Sequence, residues 1–245
     1  MSSKLHSLSI VLPCHDEVAN VARVARQAVR VGREVADRLE VLVVDDGSRD
    51  GTGDRAADLA DELPELRVAR HSVNQGYGGA LRRGFQEAQM AWVFFTDGDG
   101  QFELDQLPEL VALTARCEMA IGYRHRRMDA PWRIWNGRAW TTLVNMIFDV
   151  GVRDLNCAFK LFPSELVRRV ALASSGAAIN AELLLAARHL GYRVAEWPVR
   201  HRVRMAGRQS GNNPEVVGRA VVELVRLAAR QSGFARRPES PGVLP

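Results

Sequence analysis

Two apolar runs in this chain end in the same way, and the recurrence narrows the folds open to it. Ala91-Trp-Val-Phe-Phe-Thr96 stops at Asp97-Gly-Asp99-Gly-Gln101, two carboxylates one residue apart with an amide after the same interval. Glu40-Val-Leu-Val-Val44 stops at Asp45-Asp46-Gly-Ser-Arg-Asp50-Gly-Thr52. Short runs of β-branched and aromatic residues read as strands buried on both faces of a parallel sheet. In open α/β sheets, ligands bind just beyond the carboxyl ends of such strands, which is where both acidic clusters fall. Residues 97–100 alone also read as a plain surface turn, since Asp and Gly are turn formers. The second strand of the same kind favours a site. Magnesium combines a few carboxylates with substrate phosphates in preference to an all-protein cage, so Asp97, Asp99 and Gln101 point to a metal-bound phosphate compound.

Strand and helix signals alternate along the rest of the chain. Strands are expected at 8–12, 41–44, 66–71 and 91–96, and helices at 18–31, 54–63, 80–89 and 107–117. After Arg124 the pattern changes: 133–150 has helical spacing, 154–162 is strand-like, 165–173 and 180–190 are helical, 194–199 is a strand and 214–231 a helix. This order predicts an α/β fold, a Rossmann-like, mostly parallel sheet with helices on both faces. One domain is expected over 1–232, ahead of a Pro/Arg/Gly-rich disordered tail at 233–245.

Charge is distributed unevenly. Residues 1–122 hold 13 Lys+Arg against 20 Asp+Glu, whereas 123–245 hold 20 against 9. A basic half beside an acidic one suggests an anionic partner, membrane surface or substrate. Arginine dominates so heavily that codon bias is a competing explanation, and Lys4 and Lys160 are the only lysines. No nucleic-acid motif or aromatic-interleaved basic groove accompanies the excess, so nucleic acid is not an expected partner. Strand one ends in Pro-Cys-His-Asp-Glu, without the Gly-rich turn of a dinucleotide site. Three cysteines without metal spacing fit free thiols in a reducing compartment. Cys14 reads as a small buried residue or a reactive thiol. With no secretory signal and no apolar segment near the roughly 20 residues of a spanning helix, the expected location is cytoplasmic, or peripheral on the inner membrane face. Trp132, Trp135, Trp140, Leu143, Ile147 and Phe148, with Arg133 and Arg138, describe either an interfacial amphipathic helix or a buried core helix.

Seven motifs in order carry a resemblance. They are Pro13-x-x-Asp-Glu17, Val44-Asp-Asp-Gly-Ser-x-Asp-Gly-Thr52, Asn74-x-Gly-x-Gly-Gly-Ala-Leu81, Asp97-x-Asp99-x-Gln101, Gly122-Tyr-Arg124, Asp154-x-Asn-Cys-Ala-Phe-Lys160 and Pro198-Val-x-His-Arg202. Over roughly residues 8–230 the chain resembles a family-2 glycosyltransferase of the polyprenyl-phosphate (dolichol-phosphate) sugar synthase type. That resemblance implies the type A glycosyltransferase fold, with a nucleotide-sugar and metal-binding half at 8–122 and an acceptor-binding half at 123–232. It implies inverting, metal-dependent transfer from a GDP- or UDP-sugar to a polyprenyl phosphate. A soluble hydroxyl acceptor is the alternative, and a non-catalytic nucleotide-sugar-binding module is disfavoured by the intact Asp/Asp/Gln set.

Residue roles follow from the same resemblance. Pro13, His15 and Glu17 match the loop holding base and ribose, although His15 also reads as a loop histidine without a duty. Val44 and Asp46 match base-contacting positions, with Asp46 accepting from a ring N–H and Asp45 holding the turn. Asp97, Asp99 and Gln101 match the ligands of Mg2+ or Mn2+, with a small residue, Gly98, between the aspartates. Arg124 and Lys160 match cationic partners of phosphates, and Arg202, Arg204 and Arg208 are either a closing lid or solvated surface. Glu182 is a general base for a hydroxyl acceptor, an orienting group for a phosphate acceptor, or a carboxylate at a helix N-terminus. Asp99, Glu182, Arg124 and Lys160 are the expected catalytic group. The turn at 76–79 reads as tight packing in preference to a phosphate cradle.

Overall fold

Every position from Leu8 to Leu12 is fully buried, which requires cover on both faces of the strand that carries them. The computed structural model describes residues 4–125, 131–204, 206 and 214–234. The strand, β1 (Leu5–Cys14), lies inside a seven-stranded sheet of order β3-β2-β1-β4-β6-β5-β7. Its companions are β2 (Ala36–Asp45), β3 (Leu66–Arg70), β4 (Trp92–Thr96), β5 (Met119–His125), β6 (Phe159–Pro163) and β7 (Val194–Arg200). The helices are α1 (Val18–Val35), α2 (Thr52–Glu62), α3 (Tyr77–Glu87), α4 (Leu107–Leu113), α5 (Pro131–Phe148), α6 (Ser164–Arg169), α7 (Ile179–His189) and α8 (Pro214–Phe234).

Two glycines show how the faces are covered. A side chain at Gly32 of α1 would strike Ile10 and Leu39, whereas one at Gly84 of α3 would strike Val11 and Val44. Consecutive residues of a strand point to opposite faces, so α1 and α3 pack on opposite sides of β1. Within the sheet Phe94 of β4 meets Phe159 of β6 edge-on at 4.7 Å, and across the layers Phe85 of α3 meets Phe95 and Phe162, each at 5.5 Å.

Strands β1 and β2 start earlier than their apolar runs. The extra length carries polar groups that find buried partners. Glu40, 4% exposed, accepts from the Ser9 hydroxyl, the Gln89 N–H at 2.6 Å and Arg67 at 2.8 Å. Buried polar groups of this kind are tolerated when hydrogen-bonded. Helix α4 stops at Leu113, short of the expected 117, and α6 at Arg169, short of 173.

The strand-like stretch expected from 154 begins at Phe159, and β6 runs antiparallel to both β4 and β5 while every other pairing is parallel. The carboxyl ends of six strands therefore gather at one sheet edge, joined there by the loop that enters β6. That edge collects residues 13–17, 45–52, 97–101, 123–125, 153–158 and 200–204. Arg208 and residues 235–245 of the expected tail lie outside the described residues. Among the described residues no helix is long and apolar enough to cross a membrane.

Phe94→Ala removes the ring at the centre of the sheet and is expected to lower stability by about 3–5 kcal/mol. Urea unfolding followed by circular dichroism measures the change.

Candidate active site at the carboxyl edge of the sheet

The first and second strand ends are laced together before any ligand is considered. Cys14 and Asp45 are in register, and the Asp46 N–H donates to the Cys14 carbonyl at 2.9 Å. Asp45 accepts from the Ser48 N–H at 3.1 Å and so holds its own turn. Asp16, at φ 54, accepts from the Arg49 N–H at 2.9 Å, while Asp50 accepts from the N–H groups of Val18 and Thr52. Pro13 is a buried floor residue whose carbonyl accepts from the Gly98 N–H at 3.2 Å. Val44 packs its side chain towards Gly84, away from the edge. His15 is exposed, 3.8 Å from Asp16.

Gly98 has to be glycine. A Cβ there would lie 2.3 Å from the Cys14 sulfur and 3.0 Å from the Pro13 carbonyl. The Cys14 thiol is buried, and burial followed by the charges of Glu17, Asp45, Asp99 and Asp97 raises it well above the usual thiol range. It is a packing residue and not a reactive thiolate.

Asp97 and Asp99 sit beside each other at this edge. Burial and then the Asp99 charge push the Asp97 carboxyl up to about 7, against the pull of the Tyr77 hydroxyl, Arg124 and Lys160. Asp97 Oδ1 is buried without a hydrogen-bond partner among the described residues. Asp99 Oδ1 accepts from the Gln101 N–H at 3.0 Å, and Oδ2 faces Arg204 at 3.4 Å. Gln101 donates its side-chain amide to the Arg202 carbonyl at 2.9 Å, and the Arg202 N–H returns a bond to the Gln101 carbonyl at 2.8 Å. This leaves the Gln101 Oε1 as the available ligand atom. Among the described residues no three His, Cys, Asp or Glu side chains converge as a metal cage. Two close carboxylates, one with an orphaned buried oxygen, suit a divalent ion whose remaining ligands are phosphates and water.

Several expected phosphate contacts are engaged elsewhere. The Lys160 ammonium is fully buried and donates to the carbonyls of Leu155 and Cys157 and to Asn180 Oδ1 at 2.9 Å. All three of its donors are used, and burial pulls it down to about 8. It braces the loop entering β6 and contributes charge behind Asp97; it is not a phosphate ligand. Arg202 points outward to Glu103 at 2.7 Å. Arg204 is the arginine that enters the site, pairing with Glu17 and Asp99 and donating to the Ala206 carbonyl at 2.8 Å. Glu17 also accepts from Asn20 at 2.8 Å, and burial raises its carboxyl above the usual range.

Glu182, 7% exposed, accepts through Oε2 from the N–H groups of Ala173 and Ser174, both at 2.9 Å. Glu223 of α8 likewise accepts from the Ser175 N–H at 2.8 Å, the Ser175 hydroxyl and the Gly176 N–H. Both carboxylates hold the 173–176 loop, against which the Gly-rich turn packs: the Gly78 N–H donates to the Ser175 carbonyl at 2.7 Å. That turn is the packing turn the sequence favours, and it rests on this loop. Through Oε2, Glu182 holds this loop.

Arg124 makes a two-pronged pair with Asp154, Nε to Oδ2 at 2.6 Å and a terminal nitrogen to Oδ1 at 2.8 Å. The pair borders a cavity of about 550 Å³ lined also by Tyr123, His125, Arg138 and Arg153 and roofed by Ile134, Gly137 and Thr141 of α5. Arg153 lies over the Tyr123 ring at 4.7 Å. The side chain of Arg133 lies outside the described residues. On α5, Val144 and Phe148 face the core, while Trp132, Trp135, Leu143, Met146 and Ile147 are exposed.

His71 escapes the sequence reading. Its Nδ1 lies 2.7 Å from Asp46 Oδ1, with both side chains nearly buried. The signal is topological: His71 follows the end of β3, which neighbours the end of β2 in the sheet.

Residues 9–175 match the model of a family described as Glycosyl transferase family 2. The chain is 28% identical to an undecaprenyl-phosphate mannosyltransferase of Micrococcus luteus, over 93% of this chain and 97% of that one. It is 27% identical to a dolichyl-phosphate beta-glucosyltransferase of Trichomonas vaginalis, over 78% of this chain but 64% of the relative, less than two thirds of its length. Among solved structures, glucosyl-3-phosphoglycerate synthase from Mycobacterium tuberculosis, in complex with Mn2+, UDP and glucosyl-3-phosphoglycerate, superposes with a TM-score of 0.72. It is 20% identical and aligns over 98% of this chain and 83% of the other. The shared architecture is the type A fold.

Because Asp97 holds its proton more tightly folded than unfolded, its contribution to stability is fullest below about pH 4 and is lost as the pH rises towards 7. Asp97→Asn is expected to melt higher than the wild type at about pH 8 and to converge with it near pH 4. Mn2+ is expected to raise the melting temperature of the wild type, not of the variant, and more at about pH 8 than at pH 5. Thermal melts across this range check both.

Proposed function

Since the chain belongs to glycosyl transferase family 2, we propose that it transfers a sugar from a nucleoside-diphosphate sugar to a polyprenyl phosphate, with inversion at the anomeric carbon. The observation that carries the acceptor assignment is the basic cavity at the carboxyl edge of the sheet, whose Arg124 also acts on the Asp97 carboxyl. Arg124, His125, Arg138 and Arg153 line it against a single acid, Asp154. Asp154 fixes the Arg124 fork, and guanidinium groups held in this way suit phosphate oxygens. The Micrococcus and Trichomonas relatives are named for lipid phosphate acceptors, which supports the choice.

The absence of a need for a base points the same way. A lipid phosphate is ionised at neutral pH, so no proton has to leave it. One of its oxygens bonds to the anomeric carbon while the bond from that carbon to the donor's diphosphate breaks. The electron pair departs with the nucleoside diphosphate. Glu182, engaged with the 173–176 loop, is not required for this step, whereas a hydroxyl acceptor would require such a carboxylate. Arg124, Arg138 and Arg153 bind and orient the acceptor phosphate, and Glu17 accepts from the donor's ribose. Asp97, Asp99 and Gln101 would hold Mg2+ or Mn2+, which when bound neutralises charge on the departing diphosphate. The protein's contribution is positioning and fixed electrostatics.

Helix α5 links the cavity to the lipid. The helix that roofs the phosphate cavity also presents Trp132, Trp135, Leu143, Met146 and Ile147 to the outside. An apolar, Trp-containing stripe beside basic residues is suited to the headgroup boundary of a bilayer. Peripheral attachment there, on the cytoplasmic face, would bring the acceptor phosphate to the cavity mouth.

Asp99→Ala is expected to lower transfer to undecaprenyl phosphate by at least about a thousandfold with the melting temperature retained. Normal transfer by this variant would remove the metal role, and preferential transfer by the wild type to a soluble hydroxyl acceptor would overturn the lipid assignment. Replacing both Trp132 and Trp135 by Ser is expected to weaken co-sedimentation with phosphatidylglycerol vesicles by at least about tenfold.

A further inference from the structure

We infer that Tyr123 is a positioning residue for the acceptor: its ring holds the Arg153 guanidinium at the mouth of the basic cavity, set for the acceptor's phosphate. This role rests on the acceptor reading proposed above and deepens it. The arginines that line the cavity are not equivalent. Arg124 is the inner one, its side chain 12% exposed and gripped by both oxygens of Asp154. Its charge is largely offset there, which leaves Arg138 and Arg153 with positive charge to spare. Arg153 is the outer one, with a side chain 66% exposed.

A guanidinium so exposed ordinarily samples many rotamers, and ordering it costs part of whatever a ligand gains from it. Here the order is built in. The Arg153 N–H donates to Glu196 Oε1 at 2.8 Å, and its Nε lies 3.5 Å from Glu196 Oε2. The guanidinium carbon stands 4.7 Å from the centre of the Tyr123 ring. Glu196 of β7 pairs in register with Ile121 of β5, two residues before Tyr123, so both side chains project from one face of the sheet. A ring engages the face of a guanidinium and spares its edge, where the N–H donors lie. Glu196 takes the Nε end of that edge. The terminal nitrogens are the donors left for phosphate oxygens.

Glu196 orients this charge without cancelling it, because one 3.5 Å contact on an exposed side chain is worth little in water. The ring adds restraint and no countercharge. A second carboxylate in its place would compete with the phosphate for the same guanidinium.

Calorimetric titration of the full chain with farnesyl phosphate, a short polyprenyl phosphate, tests this role, with farnesol as the phosphate-free control. Arg153→Ala is expected to weaken farnesyl phosphate by at least about tenfold. Tyr123→Leu is expected to weaken it by about two- to fivefold, with farnesol unaffected. Tyr123→Phe keeps the ring and should bind as the wild type does. Added to Arg153→Ala, Tyr123→Leu should cost nothing further, because its effect passes through the guanidinium. Wild-type affinity in Tyr123→Leu, a loss in Tyr123→Phe as large as in the leucine variant, or a further loss on top of Arg153→Ala overturns the role of Tyr123 and leaves the acceptor reading standing. Equal weakening of farnesyl phosphate and farnesol in Tyr123→Leu marks a packing role and overturns it too. If Arg153→Ala retains full affinity, or the wild type does not bind farnesyl phosphate, the acceptor cavity falls with it.

Discussion

Five carboxylates crowd one edge of the sheet, and the structure is organised around compensating them. Glu17, Asp45, Asp46, Asp97 and Asp99 all come from the ends of parallel strands or the loops that follow them, and each is largely removed from water. Like charges at such separations repel strongly where water is scarce. Asp45 is relieved by the backbone of its own turn and Asp46 by His71 and Gln75. Glu17 and Asp99 share Arg204. Asp97 is left with an unanswered oxygen and a raised pKa. That residual imbalance is the charge a divalent cation at this edge would offset.

The reversal of β6 supplies the other half of the site. Had β6 run with its neighbours, the chain before it would enter at the opposite edge and Asp154 could not reach Arg124. Instead the incoming loop lies against the end of β5, and Lys160 pins it from within through the carbonyls of Leu155 and Cys157. One buried ammonium thus shapes the loop that presents Asp154, which in turn aims Arg124 at the cavity. A core lysine is thus linked to a largely buried guanidinium through one short loop.

Much of this was legible from the order of residues. Apolar runs closed by acidic turns marked β1, β2 and β4 and placed Asp97 and Asp99 at the correct edge, because burial on both faces leaves a strong signal. Roles that depend on a partner distant in sequence were less accessible. Lys160 looked like a phosphate contact until its three acceptors, twenty residues away or fewer, were seen to surround it. Glu182 resembled a base because its chemistry permits it, but the loop it holds is defined by tertiary packing. Arg202 and Arg204 differ by two positions on an extended segment, and sequence alone does not say which faces inward. His71 had no motif of its own; adjacency of β3 and β2 gave it Asp46 as a partner.

The missing side chain at Gly98 has a wider meaning. Because the loop bearing Asp97 and Asp99 lies directly on Cys14 and Pro13, the end of β1 and the two carboxylates pack as one piece. A shift of either strand end is passed straight to the other.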